Sequence, residues 1–136
     1  DELKVFIDAF SASYQKDDPQ NPYGDQATYI PSLSRAWHMH HKTGRIEYFM
    51  IYLDDKVVSV ATLTNYNDLG YISNVGSIRE VRGQGYGKAA TLYCVFKSQQ
   101  NGNTSHCLAT EEGDYPNEFY HRIGFSTKFS AAGYSK

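Results

Sequence analysis

Apolar residues near the start of the chain recur at helical spacing. Leu3, Phe6, Ile7 and Phe10 stand at positions i, i+3, i+4 and i+7, which places them on one face of a helix. Residues 14–27 are rich in Asp, Asn, Pro and Gly, which is typical of a loop. The chain is therefore predicted to open with a helix followed by a long loop.

A second helix is expected to begin near Pro31 and to end at Gly44, because proline favours a first helical turn and glycine a helix end. Its apolar face carries Ile30, Leu33 and Trp37. This spacing favours packing of Trp37 in the core over contact with a substrate.

Strand patterns follow the second helix. Residues 46–53 are almost all aromatic, β-branched or apolar, residues 54–56 form a polar turn, and residues 57–63 continue as a second apolar run. A turn at 65–70 precedes a third predicted strand at 71–78. The first two of these strands are expected to pair as a hairpin.

The remainder alternates between helix and strand. A helical stripe of apolar residues ends at Gly102, and residues 106–110 read as a short strand. Asp114 is placed to cap a last helix that stops at Gly124, and Phe125 is expected to begin a final strand. The predicted order is α-α-β-β-β-α-β-α-β, an α/β fold.

Length and composition limit the possible classes of protein. At 136 residues with 40% hydrophobic content, residues 1–136 are expected to form a single domain. The net charge of -2 offers no general basic field, so nucleic acid is not an expected partner. No apolar run approaches the length of a membrane span and no signal-peptide pattern opens the chain, so we expect a cytoplasmic protein without a membrane partner.

Metal binding is not expected from the pattern of ligating residues. Cys94 and Cys107 lack the close spacing of a metal site and are expected to be buried free thiols. His38, His40 and His41 form a cluster, but no HExxH motif or carboxylate at ligand spacing accompanies them.

A glycine-rich loop with glycine at 83, 85 and 87 joins the third predicted strand to a helix. Backbone N–H groups in such a loop, together with the start of the helix, can bind phosphate. A P-loop is excluded because Arg82 and Ala89 occupy positions that need glycine and Ser or Thr. A dinucleotide fingerprint is excluded because the spacing is G-x-G-x-G.

The glycine loop instead matches a third loop pattern, and a second motif lies further along the chain. Arg82, Gly85 and Gly87 match the pattern [Gln/Arg]-x-x-Gly-x-[Gly/Ala], and a downstream segment ends in Tyr120-x-x-x-Gly124-Phe125. In the order and separation of these motifs the chain resembles the GNAT superfamily of acyl-CoA-dependent N-acyltransferases. The similarity covers roughly residues 57–130.

The resemblance implies a mixed, largely antiparallel sheet flanked by helices. A domain of this superfamily normally begins with a strand before the first helix, and no such strand precedes the first predicted helix. We expect either that the sequence is a trimmed part of a longer chain or that another segment or a second subunit of a homodimer covers the exposed sheet edge.

The resemblance also implies acetyl-CoA as the co-substrate. In the family, backbone groups of the strand before the glycine loop hold the pantetheine arm, and the loop holds the pyrophosphate. By this resemblance the side chains of Gln84 and Tyr86 can vary, whereas Gly85 and Gly87 cannot. The residues expected to bind the cofactor are Val75, Gly76, Ser77, Arg82, Gly83, Gln84, Gly85, Tyr86, Gly87, Lys88 and Asn117.

Asn117 is included as a substitute. Many family members place an asparagine about seven residues before the tyrosine, where this chain has Gly113. Asn117 lies three residues before Tyr120 on the same predicted helix and on roughly the same face.

The catalytic groups are expected to be Tyr120 and Glu111. Tyr120 matches the tyrosine that donates to the departing sulfur in the family. The base is less sharply defined, and Glu111 is preferred over Glu112, Glu47 and Glu80 because it follows the strand that borders the cleft. The segment between the first two helices often walls the acceptor site in this family. This makes its tyrosines, Tyr14, Tyr23 and Tyr29, candidates for substrate contact.

The function implied is transfer of an acetyl group from acetyl-CoA to a primary amine by direct attack in a ternary complex. The acceptor is expected to be a small-molecule or peptide amine, whose identity the sequence leaves open. A non-catalytic acyl-CoA-binding domain, or a transferase for longer acyl chains, are the alternatives.

Overall fold

The structure is a computed structural model that describes residues 1–134. Its elements follow the predicted order as far as the last helix. They are α1 (Glu2–Ser13), α2 (Ile30–His40), β1 (Ile46–Leu53), β2 (Lys56–Tyr66), β3 (Leu69–Ser77), a 3-10 turn (Arg79–Val81), α3 (Tyr86–Gln100), β4 (Ser105–Cys107) and α4 (Tyr115–Arg122).

The strands form one mixed sheet in the order β1-β2-β3-β4. The pairs β1/β2 and β2/β3 are antiparallel, and β4 runs parallel to β3. This is the mixed, largely antiparallel sheet that the motifs predicted. In the part of the chain that the structure describes, β1 pairs with β2 alone, so its outer side is the sheet edge that the resemblance led us to expect.

Helices cover both faces of the sheet. On one face, Phe6 and Phe10 of α1 and Trp37 of α2 pack against side chains of β1 and β2. On the other face, Ala90 and Cys94 of α3 pack against the next set of strand residues. The alternation of strand side chains between these two clusters explains why the strands read as almost continuous apolar runs. Trp37 is a core residue, as predicted.

The β2–β3 hairpin is longer than the sequence indicated. Asn67 and Asp68 both have positive φ, 46° and 62°, which is the conformation of a tight two-residue hairpin turn that Asn and Asp tolerate. The predicted turn at 65–70 is therefore reduced to two residues, and both flanking strands extend into it.

Strand β4 is shorter than predicted. A strand was expected at 106–110, but β4 ends at Cys107 because it pairs with β3 only from Leu69 to Tyr71. Beyond Tyr71 the two strands diverge. Leu108 and Ala109 then line a cleft instead of a ladder.

The final strand expected from Phe125 is not found among residues 1–134. Gly124 has φ +113° and ends α4 as predicted, but the N–H of Phe125 is bonded to the Tyr120 carbonyl at 3.0 Å. The Phe125 ring packs against the α3 side of the core. Residues 126–134 are exposed, so they offer the sheet no buried apolar face on which a strand would form.

No helix among the described residues is long and apolar enough to cross a membrane. Cys94 and Cys107 are free cysteines, the first buried and the second half-buried. Burial raises the pKa of the Cys94 thiol to about 12.

Candidate active site

A cleft of about 500 Å³ opens where β3 and β4 part. One wall is the glycine loop with the first turn of α3, and another is the end of α1 with the loop that follows it. Strand β3 forms the floor, and the residues after β4 together with α4 close the remaining side. The divergence of two strands thus creates a concave site with several polar groups on its walls.

A β-bulge shapes the floor of the cleft. Opposite Ala61, β3 carries both Asn74 and Val75, and Asn74 takes the positive φ of 54° that such a bulge favours. Its side-chain amide donates to Thr62 Oγ1 at 3.0 Å, and its Oδ1 accepts from the Tyr29 hydroxyl at 3.2 Å. The bulge is therefore fixed from both the sheet and the loop between α1 and α2.

Two main-chain carbonyls at the bulge already have partners. The Tyr14 hydroxyl donates to the Val75 carbonyl, and the Ser59 hydroxyl donates to the Gly76 carbonyl at 2.9 Å. Ser59 also lies 3.0 Å from the hydroxyl of Ser77. A ligand arm that pairs with this strand therefore meets carbonyls that are partly engaged.

The glycine loop presents unpaired amides to the cleft. Gly83 and Gly85 have φ of 78° and 90°, and Gly85 is the N-cap of α3 without a side-chain cap. Within residues 1–134, none of the N–H groups of residues 83–88 donates a hydrogen bond to protein. The open end of a 15-residue helix adds partial positive charge at the same place.

The other two glycines of the predicted site differ in what restricts them. A Cβ on Gly76 would lie 2.6 Å from Ser13 Cβ and 3.0 Å from Tyr14 Cε2, so this glycine makes room for the end of α1. A Cβ on Gly87 would meet nothing closer than Ser77 Oγ at 3.4 Å. The protein itself therefore requires glycine at 76, whereas any requirement at 87 must come from a ligand.

The side chain of Arg82 binds protein groups and does not offer its charge to a phosphate. Its guanidinium forms an ion pair with Asp18 and donates to the Ser13 carbonyl at 3.2 Å. The Asp18 side chain is fully buried, and its Oδ2 has no other polar partner in the described chain. Arg82 thus joins the glycine loop to the end of α1 and to the loop that follows.

The ionisation of Asp18 depends on that pair. Burial alone would raise the pKa of the Asp18 carboxyl, but the hydrogen bond from the Gln20 N–H and the Arg82 guanidinium outweigh it. The pKa of Asp18 is held below its ordinary value of 3.8. No local sequence pattern indicates this partner, because the two residues are far apart along the chain.

Tyr120 lies on α4 with its ring between two other aromatic rings. Phe119 and Phe125 contact it edge to face, at centroid distances of 5.1 and 5.9 Å. Burial, and then the neighbouring Tyr14 and Tyr23, raise the pKa of the Tyr120 phenol above its ordinary value. The hydroxyl therefore stays protonated at physiological pH and can act as a hydrogen-bond donor in the cleft.

Most of the predicted site residues come together around this cleft. Those that line it are Val75, Gly76, Ser77, Arg82, Gly83, Gly85, Tyr86, Gly87, Lys88 and Tyr120. Gln84, Glu111 and Asn117 are not among the lining residues. The Asn117 amide donates instead to Thr110 Oγ1 at 3.0 Å. Glu111 is exposed and adjoins Tyr23 at the edge of the site.

Tyrosine dominates the rest of the lining. Seven of the twelve tyrosines face the cleft, and Tyr14, Tyr23 and Tyr29 among them were expected from the loop between the first helices. Tyr71 and Asn74 were missed. Both lie in a strand whose alternation could not be read without knowing where the bulge falls.

Three of the histidines make separate contacts within the fold. His41 contacts the Trp37 carbonyl, His106 contacts Ser98 Oγ, and His121 contacts Thr127 Oγ1. Among residues 1–134, no three His, Cys, Asp or Glu side chains are grouped so that they could hold a metal ion.

A model of the family described as "Acetyltransferase (GNAT) family" matches residues 5–125. The chain belongs to the GNAT family of acetyltransferases. The match extends from within α1 to Phe125, three residues beyond α4, so it includes both the glycine loop and Tyr120. No relative was found among curated protein sequences.

Solved structures of other proteins share the fold. A transcriptional regulator from Bacillus halodurans C-125 superposes with a TM-score of 0.74 at 18% identity, covering 100% of this chain and 95% of its own. A PaiA N-acetyltransferase from Thermoplasma acidophilum in complex with coenzyme A gives 0.74 at 15%, covering 96% and 87%. The aminoglycoside 6'-N-acetyltransferase AAC(6')-Ig from Acinetobacter haemolyticus gives 0.73 at 13%, covering 99% and 92%.

Proposed function

We propose that this chain transfers an acetyl group from acetyl-CoA to a primary amine by direct attack in a ternary complex. One observation carries the proposal. The N–H groups of residues 83–88 have no protein acceptor within the described chain, and they lie at the open end of α3 beside the cleft. Unpaired amides at a helix start are suited to a pyrophosphate.

The residues around the cleft fit acetyl-CoA, which supplies the activated acetyl group. Residues 83–88 would hold the pyrophosphate through main-chain donors, with Lys88 as the nearby cation. Val75, Gly76 and Ser77 remain our candidates for the pantetheine arm, using the backbone groups that Tyr14 and Ser59 leave open. Arg82 would act by positioning the loop, because its guanidinium is paired with Asp18.

The reaction requires a neutral amine. An alkylammonium with a pKa near 10.4 must lose a proton, which costs about 4–5 kcal/mol at neutral pH. We assign that proton to Glu111, through a water molecule, since this exposed carboxylate adjoins Tyr23 at the edge of the cleft.

The amine nitrogen then attacks the thioester carbonyl carbon. A C–N bond forms, the C–S bond breaks, and its electron pair leaves on sulfur. The nitrogen loses its second proton as the C–S bond breaks, and that proton passes through water to the sulfur, so that the products are a neutral amide and free CoA thiol. Tyr120 donates its O–H to the developing thiolate, which stabilises the charge in the transition state. A phenol of raised pKa suits hydrogen-bond donation better than full transfer of its proton to a thiolate with a pKa near 8.5.

The test combines binding with turnover. Calorimetry with CoA measures occupation of the glycine loop, and release of free thiol from acetyl-CoA with a panel of primary amines measures transfer. We expect CoA to bind and at least one amine to release thiol. Binding without release from any amine would favour the non-catalytic acyl-CoA-binding alternative, and absence of CoA binding would refute both.

A further inference from the structure

The cleft has two ends of different chemistry. The glycine loop and Lys88 form one end, and the bulge at Asn74 and Val75 lies between. The far end is bounded by Tyr23, Tyr29 and Tyr71. If acetyl-CoA occupies the loop, as proposed above, its acetyl group reaches the bulge and the acceptor must enter among these three tyrosines.

Charged side chains are confined to the glycine-loop end. Of the residues that line the cleft within the described chain, Arg82 and Lys88 alone carry a formal charge, and Arg82 is paired with Asp18. Glu111 and Asp114 approach Tyr23 closely enough to influence its pKa, but neither lines the cleft. The far end is therefore neutral, with an acidic rim on one side.

The tyrosines at the far end present partly open rings. Tyr23, Tyr29 and Tyr71 are each 38–39% exposed, although all three lie against the cleft. Burial raises the pKa of Tyr23 and of Tyr71, so these phenols are neutral at physiological pH. Neutral aromatic faces attract one organic cation and also cover an apolar surface.

This lining disfavours acceptors that carry several charges. A polyamine or an aminoglycoside would place further ammonium groups in a cleft without a lining carboxylate, and burying an unpaired charge is costly. A phosphorylated amino sugar would need a cation at the far end, where the described residues provide none.

We propose that the acceptor is a primary amine whose single positive charge is carried on an uncharged, aromatic or aliphatic body. The ammonium enters past the acidic rim of Glu111 and Asp114, and the body lies against the rings of Tyr23, Tyr29 and Tyr71. This inference rests on the proposed acetyl transfer and narrows it to a substrate class.

The test compares four amines at saturating acetyl-CoA: 2-phenylethylamine, spermidine, kanamycin and glucosamine 6-phosphate. We expect kcat/KM for 2-phenylethylamine to exceed that of each charged competitor by about tenfold or more. Replacing a ring, in Tyr23→Leu or Tyr29→Leu, should lower kcat/KM for 2-phenylethylamine about tenfold while the KM of acetyl-CoA changes less than about twofold.

Tyr66→Leu is the matched control, because Tyr66 is 64% exposed at the end of β2 and does not line the cleft. It should leave all four kcat/KM values unchanged. Preference for spermidine, kanamycin or the phosphorylated sugar would overturn the inference and leave acetyl transfer standing.

A binding measurement separates the two proposals. If no amine is acetylated, acetyl transfer fails, and calorimetry on the CoA-loaded protein still decides the substrate class. Tighter binding of 2-phenylethylamine than of spermidine supports the inference, and equal or weaker binding overturns it.

Discussion

The two long walls of the cleft offer a ligand different kinds of group. The glycine loop offers main-chain N–H groups, and its glycines at 83 and 85 hold positive φ that other residues rarely adopt. The opposite wall, between α1 and α2, offers side chains, chiefly Tyr14, Tyr23 and Tyr29. A site built from backbone groups can be recognised in the sequence by the spacing of its glycines. A site built from side chains has no such spacing, and only the abundance of one residue type indicates it.

The two walls are nevertheless connected by a direct contact. The Arg82–Asp18 ion pair connects the glycine loop to the acceptor wall through a fully buried carboxylate. The two walls thus differ in the groups that they offer to a ligand, whereas a single ion pair holds both in position. Substitutions can either break this ion pair or test whether a change in one wall alters binding at the other.

The largest effect is expected from breaking the ion pair. Arg82→Met leaves Asp18 buried without its counter-charge and should lower the free energy of unfolding by about 3 kcal/mol at neutral pH. Urea unfolding measures it. Lys4→Met is the control, since the Lys4–Asp8 pair at 2.6 Å is exposed on α1 and is expected to contribute less than about 1 kcal/mol.

The same pair gives the stability a pH dependence of known sign. The pKa of folded Asp18 is lowered below 3.8, so its contribution is fully present above that value and is lost as the pH falls through the folded pKa. The difference in unfolding free energy between wild type and Arg82→Met should shrink on going from pH 7 to about pH 3. If the difference in unfolding free energy were the same at both pH values, the ionised Asp18 carboxylate would not be the source of the stabilisation.

Removing the Tyr120 hydroxyl should affect chemistry without moving either wall. Tyr120→Phe keeps the ring contacts with Phe119 and Phe125, and we expect kcat to fall about 100-fold with little change in the KM of acetyl-CoA. Steady-state kinetics measures both. Tyr115→Phe, on the same helix and also lining the cleft, should keep near wild-type kcat. Full activity of Tyr120→Phe at every pH would contradict its assigned role.

The role of the glycine loop in CoA binding can be tested by comparing two glycines with the same backbone φ. Gly85 and Gly102 have φ of 90° and 89°, but Gly85 adjoins the unpaired amides and Gly102 lies at the far end of α3. Gly85→Val should raise the Kd of CoA by about 30-fold. Gly102→Val should produce similar strain in unfolding experiments without weakening CoA binding. Equal effects on Kd would mean that the loop is not the cofactor site.

The smallest effect is expected at the contact between the acceptor wall and the bulge. Tyr14→Phe removes one hydrogen bond, to the Val75 carbonyl, and should destabilise the fold by about 1 kcal/mol. Acetyl-CoA affinity should change less than that of the amine, which differential calorimetry on the two ligands would show. A larger loss for acetyl-CoA would assign Tyr14 to the cofactor side.

The sequence anticipated those parts of the molecule that depend on local rules. The glycine stops after α3 and α4, the apolar stripe of α1 and the Tyr-x-x-x-Gly-Phe ending each specify their own backbone within a few residues. The apolar stripe expected on α3 is instead exposed at Leu92, Tyr93 and Phe96, because the helix buries its smaller residues Ala90, Thr91, Cys94 and Ser98. The fold class and the order up to α4 followed from them. They also placed Tyr120 on the helix that closes the cleft.

The errors arose where distant residues decide the outcome. Strand β4 ends early because its ladder with β3 stops at Tyr71. Three residues further along β3, Thr62 and Tyr29 hold Asn74 in a bulge. The predicted last strand fails because Phe125 packs into the core and its N–H completes the end of α4. Asp18 and Arg82 lie 64 positions apart in sequence, a distance over which no local pattern signals an ion pair.

The buried Asp18–Arg82 pair has a consequence for protein engineering. A library that diversifies the tyrosines proposed to face the acceptor should sample new substrates without disturbing the proposed cofactor site, provided that Asp18 is held constant. Randomising position 18 together with its neighbours would discard variants for poor expression before their selectivity could be assayed.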